Sequence, residues 1–176
     1  MTLIRHIVVT ADPLEPQRGT LTCGPRTFPC VLGRSGVALD KREGDGATPL
    51  GLFPLRRVVY RLDRLTPPQT SLPIAAIARE DGWCDAPGDA RYNQPVTLPY
   101  GASAESMWRE DTLYDLVVVI GHNDSPVAHS EGSAIFMHVA PADGGPTAGC
   151  VALARSDLLW VLREVAPDAV IEIRKS

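Results

Sequence analysis

The chain has 176 residues, of which 44% are hydrophobic and 22% charged, and its formal net charge is -4. A chain of this length and composition can bury a sizeable core without metals or disulfides and has little room for a second domain, so we predict one domain over residues 1–176. The acidic balance argues against a nucleic-acid-binding surface, and no stretch approaches the roughly 20 apolar residues of a membrane span.

Sixteen prolines and fifteen glycines divide the chain into short elements, which favours strands and loops over long helices. One helix is predicted with Ser156 as its N-cap and an end before Pro167, and residues 103–110 suit a short helical turn. The predicted fold is mainly β, a β-sandwich or barrel-like sheet with a few short helices. The predicted strands cover residues 3–10, 20–23, 27–32, 36–39, 51–61, 113–120, 133–138 and 169–173.

The first ten residues contain one apolar cluster, at residues 7–9, which is too short and too polar for the hydrophobic region of a secretory signal peptide. On this ground the expected location is the cytoplasm.

One histidine and one cysteine stand on opposite sides of a loop rich in glycine and proline. His138 ends an apolar run that is typical of a strand, and Cys150 follows the loop tip at residues 146–149. An imidazole beside a thiol can take its proton, and the thiolate can then attack a carbonyl. The backbone N–H groups of Gly149 and Cys150 are natural oxyanion donors, and a backbone carbonyl would suffice to orient His138. The alternative is a core histidine and a buried thiol.

Two segments of this chain resemble motifs of the YkuD-type L,D-transpeptidases. His138 followed by Thr147-Ala148-Gly149-Cys150-Val151 resembles their active-site motif, a histidine, a loop, and Ser/Thr-x-Gly-Cys-hydrophobic. Residues 41–53, KREGDGATPLGLF, are similar to their Lys-x-x-Gly-Asp-x-x-Thr-Pro-x-Gly-x-Phe segment, which lies beside the catalytic cleft. The resemblance implies a cysteine enzyme without cofactor or metal, in which Cys150, His138 and Gly149 are catalytic.

The same resemblance implies a substrate and an inhibitor. The expected substrate is a peptidoglycan stem peptide or muropeptide, cleaved between its third, diamino acid residue and terminal D-Ala through a thioester on Cys150. Transfer to a second stem's amine would give a 3-3 crosslink, and transfer to water would make the enzyme an L,D-carboxypeptidase. The apolar residues 151–153 after the cysteine favour water as the acyl acceptor. The family implies a carbapenem as covalent inhibitor, and the periplasm as the alternative location.

Further residues are candidates for substrate binding. Thr147 and Ala148 flank the nucleophile, and His122 and Asn123 follow an apolar strand near the predicted cleft, although a surface turn fits them equally well. Trp83 and Tyr92 belong to residues 81–93, which either form a cleft wall or a structural loop over the barrel end.

Two hypotheses of other classes remain at this stage. A zinc hydrolase could draw ligands from His122, His129, His138 and Cys150, but these residues lack metal-binding spacing and fall on separate loops. A catalytically inactive peptidoglycan-binding module would leave Cys150 unreactive. Cys23 and Cys30 flank a turn and either face each other in a hairpin or are small buried residues, and Cys84 is expected to be a buried thiol.

Overall fold

The computed structural model describes residues 2–176 as mostly β structure with one α-helix in that part of the chain. The helix is α1 (Arg155–Glu164). The strands are β1 (Ile4–Ala11), β2 (Arg18–Cys23), β3 (Arg26–Val31), β4 (Val37–Ala38), β5 (Thr48–Pro49), β6 (Gly51–Tyr60), β7 (Ile74–Ala76), β8 (Asp81–Cys84), β9 (Pro95–Thr97), β10 (Ala104–Ser106), β11 (Leu116–Ile120), β12 (Phe136–Val139), β13 (Val151–Leu153) and β14 (Val165–Arg174).

Nine strands form one sheet in the order β11-β12-β13-β3-β2-β1-β14-β6-β7. Strand β11 also pairs with β6, from Leu116 opposite Tyr60 to Ile120 opposite Leu55, so the sheet closes on itself. Closure leaves fewer unpaired strand edges, which would otherwise invite pairing with other chains. The predicted mainly β, barrel-like fold is confirmed.

The predicted strands each have a counterpart, but both helix predictions need correction. Helix α1 begins at Arg155 after Ala154, and no side chain caps it, so Ser156 lies inside the helix and is not its N-cap. Residues 103–110 do not form a helical turn, because residues 104–106 pair with β8 as strand β10. No helix within residues 2–176 has the length and apolar character needed to cross a membrane.

Strands β11 and β12 are buried on both faces, which explains why their sequences are apolar almost throughout. Side chains alternate along a strand, so Met137 and Val139 point into the barrel core, where they join Leu158 and Leu162 of α1. Phe136 points to the opposite face and belongs to a second, smaller hydrophobic cluster. His138 follows the same alternation and therefore also lies on that second face.

A three-stranded sheet in the order β10-β8-β9 covers this second face. Trp83 of β8 packs edge-to-face on Phe136 with ring centroids 5.1 Å apart, and its indole N–H donates to Asn93 Oδ1 at 2.9 Å. Tyr114 also packs edge-to-face on Phe136, at 5.9 Å. Cys150 belongs to the same cluster. The predicted catalytic pair thus lies outside the barrel core and below this covering sheet.

All four cysteines are free and buried. In the β2–β3 hairpin, Cys23 stands opposite Arg26 and Cys30 opposite Gly19, so the two thiols are not cross-strand neighbours. Both belong to the barrel core, which confirms the interpretation of them as small buried residues. Cys84 is buried at the end of β8, as predicted, although in a strand and not in a loop.

Candidate active site

The turn that carries Cys150 is held by the side chain of Thr147. The Thr147 hydroxyl donates to the carbonyl of Cys150 at 2.7 Å and accepts the N–H of Gly149 at 3.1 Å. Gly149 has φ +140°, a conformation that L side chains rarely adopt, and a Cβ there would come within 2.8 Å of the Ala47 carbonyl oxygen. The turn therefore requires both a hydroxyl at position 147 and a glycine at position 149.

The motif of residues 41–53 packs directly behind this turn. Thr48 is fully buried, and its hydroxyl accepts the N–H of Gly33 at 2.8 Å. The neighbouring Arg34 N–H donates to the Thr147 carbonyl at 2.9 Å, and the Thr147 N–H donates to the Leu32 carbonyl at 2.9 Å. The early motif thus supports the chain segment to which the Cys150 turn is bonded.

Asp45 organises the beginning of the same motif. Its carboxylate accepts hydrogen bonds from the Lys41 ammonium at 2.6 Å, the Ala47 N–H at 2.8 Å and the Arg42 N–H at 2.7 Å. Burial alone would raise the pKa of Asp45, but these hydrogen bonds together lower it. Asp45 is therefore a charged brace for the loop and holds Lys41, which is only 8% exposed, in place.

The sulfur of Cys150 lies in a nearly closed environment, with 7% of the residue exposed. The thiol donates to the Ala134 carbonyl at 3.3 Å, and the Phe136 N–H points at the sulfur from 3.4 Å. Burial raises the pKa of Cys150 to about 12, and the charge of Glu105 adds to this effect. Phe136 N–H, Lys41 and Arg109 act in the opposite direction. The resting thiol is therefore protonated.

His138 is the second buried polar group of the site. Its Nδ1 lies 2.8 Å from the Val139 carbonyl, which can only accept, so Nδ1 carries the proton and Nε2 keeps its lone pair. Burial lowers the pKa of His138 to about 4, although the bond to Val139 opposes the shift. The ring of Tyr114 packs edge-to-face on the imidazole at 5.4 Å. A backbone carbonyl thus orients a neutral imidazole. The sequence predicted that such a carbonyl would be sufficient.

Cys150 and His138 line one cavity of about 490 Å³, and Thr147 and Ala148 lie on its wall. No hydrogen bond joins the imidazole to the sulfur in the part of the chain that the structure describes. The Gly149 N–H, predicted as an oxyanion donor, is already used by Thr147. Within residues 2–176, the N–H of Cys150 makes no hydrogen bond, so of the two predicted donors it is the one that is not already in use.

The other predicted substrate-binding residues do not line this cavity. Tyr92 is 1% exposed, and its hydroxyl binds Glu43 and accepts the Gly132 N–H at 3.1 Å. Trp83 is 8% exposed and packs on Phe136. Residues 81–93 thus include one strand of the covering sheet, β8, and neither Trp83 nor Tyr92 lines the cavity that contains Cys150.

His122 and Asn123 also lie elsewhere. Asn123 has φ +48° and binds the carbonyls of Ala128 and Gly132 through its side-chain amide, which makes it a loop brace. His122 lines a separate cavity with His129, and its Nε2 lies 2.9 Å from the Glu131 carbonyl. Burial lowers the pKa of His122. Within residues 2–176, no three His, Cys, Asp or Glu side chains converge as metal ligands.

Sequence reasoning missed the charged residues that surround the pair. The residues after Cys150 are buried in β13, so they say nothing about the polarity of the cavity. Its charged wall comes from distant segments of the chain. The charged residues of the wall are Arg34, Lys41, Glu43, Asp85, Glu105 and Arg109. Lys41 and Glu43 belong to the motif of residues 41–53, whereas no local motif marks the other four, which the fold alone brings together.

Comparison with known proteins agrees with this geometry. Residues 17–173 match the family model of the YkuD L,D-transpeptidase catalytic domain. Because the match spans nearly the whole chain and includes both motifs, the protein belongs to this family of enzymes, and the predicted resemblance is confirmed.

One solved structure with a similar chain is Mycobacterium tuberculosis L,D-transpeptidase 1. The two chains are 15% identical with a TM-score of 0.41, and the alignment covers 97% of this chain and 62% of that one. The chain therefore spans less than two thirds of that protein's length. A comparison with curated proteins gives no match.

Proposed function

We propose that this protein cleaves peptidoglycan stem tetrapeptides between the third, diamino acid residue and the terminal D-Ala, with Cys150 as nucleophile. The observation that carries the proposal is that Cys150 and His138 line the same cavity in a chain of the L,D-transpeptidase family. A thiol and an imidazole at one cavity wall are the groups that acyl transfer through a thioester needs.

The acylation step follows from the two protonation states. His138 is neutral and its Nε2 is free to accept, so it takes the thiol proton as the sulfur attacks the substrate carbonyl. Because the pKa of Cys150 is high, this proton transfer accompanies the attack and does not precede it. A sulfur–carbon bond forms, and the N–H of Cys150 stabilises the oxyanion. The carbon–nitrogen bond then breaks, and His138 returns the proton to the departing D-Ala amine.

The second step decides between two products of one thioester. Water gives a tripeptide and makes the protein an L,D-carboxypeptidase, whereas the amine of a second stem gives a 3-3 crosslink. The charged cavity wall removes the argument that this site is too apolar to hold an acceptor stem. Both reactions share the same acyl-enzyme and the same catalytic pair.

Product analysis on a defined substrate tests the proposal. A disaccharide tetrapeptide is incubated with the enzyme, with and without a second stem as acceptor, and products are separated by chromatography and mass. Release of D-Ala with tripeptide or crosslinked dimer is expected. An intact tetrapeptide under both conditions would contradict the proposed function and favour an inactive binding module.

A carbapenem provides an independent probe of the same sulfur. Its strained amide can take the place of the scissile bond, so the thiol should open it and remain acylated. Intact-mass spectrometry should show one added drug mass on the wild-type protein and none on Cys150→Ala. The same adduct on both proteins would place the reactive thiol elsewhere.

A further inference from the structure

The segment that leads into β12 makes both polar contacts of the Cys150 sulfur. The carbonyl of Ala134 accepts the thiol at 3.3 Å, and the N–H of Phe136 points at the sulfur from 3.4 Å. Ala134 also lines the cavity that contains Cys150 and His138. The position of the sulfur at the cavity wall therefore depends on the backbone of residues 134–136.

Ala134 holds an uncommon backbone conformation. Its φ is +52°, in the left-handed region, although it is not a glycine. The Cβ of an L residue crowds the following carbonyl oxygen there, so the conformation persists only where the surrounding structure fixes it. A change to the commoner extended or right-handed conformation would turn the Ala134 carbonyl away from the sulfur. The contact with the thiol thus needs a support that keeps Ala134 in place.

The side chain of Asn93 supplies this support. Its Oδ1 accepts the Ala134 N–H at 3.0 Å and the indole N–H of Trp83 at 2.9 Å. Its Nδ2 donates to the carbonyls of His122 and Asn123 at 3.0 and 2.8 Å. The two N–H groups can only donate and the two carbonyls can only accept, so the orientation of the amide is fixed. All four hydrogen-bonding positions of this side chain are used.

The backbone of Asn93 holds the amide at this position. Asn93 is 6% exposed and has φ +56°, a region that asparagine occupies more readily than most residues. Its N–H donates to the Cys84 carbonyl at 2.9 Å, which attaches it to the end of β8. A buried polar network in which every member is paired is rigid. Asn93 therefore joins the covering sheet to the segment that contacts the sulfur.

We propose that Asn93 is a positioning residue for the nucleophile Cys150, on which it acts through the backbone of Ala134. This inference rests on the proposed function, in which the sulfur attacks the substrate carbonyl. At rest the Ala134 carbonyl holds the thiol proton, and in the reaction this proton passes to His138. The Phe136 N–H stays aimed at the sulfur and favours its anionic form, so it supports the charge that builds up during the transfer.

The first test compares the two bonds that Asn93 Oδ1 accepts. Asn93→Gly keeps a residue that adopts a positive φ but removes the amide, whereas Trp83→Phe removes only the indole donor. Each variant loses bonds to the covering sheet, so the thermal midpoint should fall in both. Only Asn93→Gly also loses the bond to Ala134.

Alkylation of Cys150 by iodoacetamide, followed by peptide mass spectrometry at this residue, measures the reactivity of the sulfur without a substrate. The rate should fall about 10- to 100-fold in Asn93→Gly, the scale of a misplaced reacting group, and about 3-fold or less in Trp83→Phe. Equal losses in the two variants would make Asn93 an anchor of the covering sheet and overturn the inference. Unchanged or faster alkylation in Asn93→Gly would overturn it as well.

Steady-state kinetics on the tetrapeptide gives a readout that a purely structural loss would not. Asn93 does not line the cavity, so Asn93→Gly should lower kcat about 10- to 100-fold and change KM about 2-fold or less. A raised KM with an unchanged kcat would contradict the positioning role. Absence of D-Ala release by the wild type would contradict the proposed function, whereas the alkylation comparison would still decide the role of Asn93.

A second pair of variants decides the inference if Asn93→Gly does not fold. Ala134→Asn and Ala134→Val add side chains of similar size at a position that lines the cavity. Asparagine adopts a positive φ readily, whereas the β-branched side chain of valine disfavours it. Alkylation of Cys150 should therefore be about 10-fold slower in Ala134→Val than in Ala134→Asn. Equal rates would show that the left-handed conformation does not position the sulfur and would overturn the inference.

Discussion

The two segments that carry the family motifs contribute different things to one site. Residues 138–150 place the imidazole and thiol at the cavity, on the covered outer face of the barrel. Residues 41–53 bring no nucleophile or base, and their main contacts fix backbone: Thr48 holds Gly33, and Ala47 abuts Gly149. Substitutions in the first segment should therefore remove chemistry, whereas substitutions in the second should remove stability first.

The four cysteines make the same distinction within a single residue type. All four are buried, and burial raises the pKa of each thiol. Only Cys150 lines the cavity that also contains His138. Burial and a raised pKa therefore do not distinguish Cys150 from the other three thiols, whereas its place beside His138 in one cavity does.

Replacing His138, the proposed base, should produce a large loss in rate. We expect His138→Ala to slow D-Ala release by about 10² to 10⁴-fold, the usual contribution of a general base. Steady-state kinetics on the tetrapeptide measures the loss, and His129→Ala is the matched control because His129 lies in a separate cavity. Turnover within a few-fold of wild type would make His138 a structural residue.

The same imidazole should make stability depend on pH. The folded pKa of His138 is about 4, below its ordinary value of 6.5, so the unfolded chain binds the proton more readily between these values. Stability present above about pH 6.5 is therefore lost as the pH falls toward 4, by roughly 3 kcal/mol at most.

Denaturant unfolding at a series of pH values measures this loss. A His138→Gln variant has no such titration, so its stability should fall less steeply over the same pH range. His122, whose pKa burial also lowers, should add a smaller slope in that range. Parallel curves for the wild type and His138→Gln would refute the assignment.

The contact between the two motif segments should be sensitive to a single methyl group. Gly149→Ala places a Cβ within 2.8 Å of the Ala47 carbonyl at a positive φ, so we expect at least about 1–3 kcal/mol of destabilisation. Gly144→Ala is the control, since its φ is also positive but its nearest neighbour is the flexible end of Arg18 at 3.7 Å. Equal losses for both variants would show that the close contact with Ala47 contributes nothing.

The smallest expected effect lies in the supporting segment itself. Thr48→Val keeps the shape of the side chain but leaves the Gly33 N–H without its acceptor, at a cost of about 1–3 kcal/mol. Exposed Thr20→Val serves as control. We expect a lower free energy of unfolding with kcat changed by less than the loss in His138→Ala. A catalytic loss as large as that of His138→Ala would contradict the supporting role.

The sequence predicted features that lie within one segment of the chain. It missed features that depend on contacts between residues far apart in sequence. Apolar runs identified β11 and β12, and the motif identified Cys150 and His138 because their spacing is carried within one segment. The closure of β6 onto β11 depends on residues that are far apart in sequence. Asp85, Glu105 and Arg109 reach the cavity only through that arrangement, so no local pattern could mark them.

Residue type alone was a poor guide to the position of two aromatic residues and of one serine. Trp83 and Tyr92 have the residue types of a substrate platform, but their polar atoms are used by Asn93 and Glu43 within the fold. Composition alone does not separate an aromatic residue that binds a ligand from one that anchors a covering sheet. Ser156 misled for a similar reason, since its residue type suits an N-cap while the helix begins one residue earlier.

The most direct test of the account is the dependence of D-Ala release on one sulfur among four. The wild type, Cys150→Ala and the control Cys84→Ala are incubated with the same tetrapeptide, and released D-Ala is quantified with a circular-dichroism spectrum of each protein. The account predicts release by the wild type and Cys84→Ala, and none above background by Cys150→Ala with an unchanged spectrum. Turnover by folded Cys150→Ala at more than a few percent of wild type would contradict it.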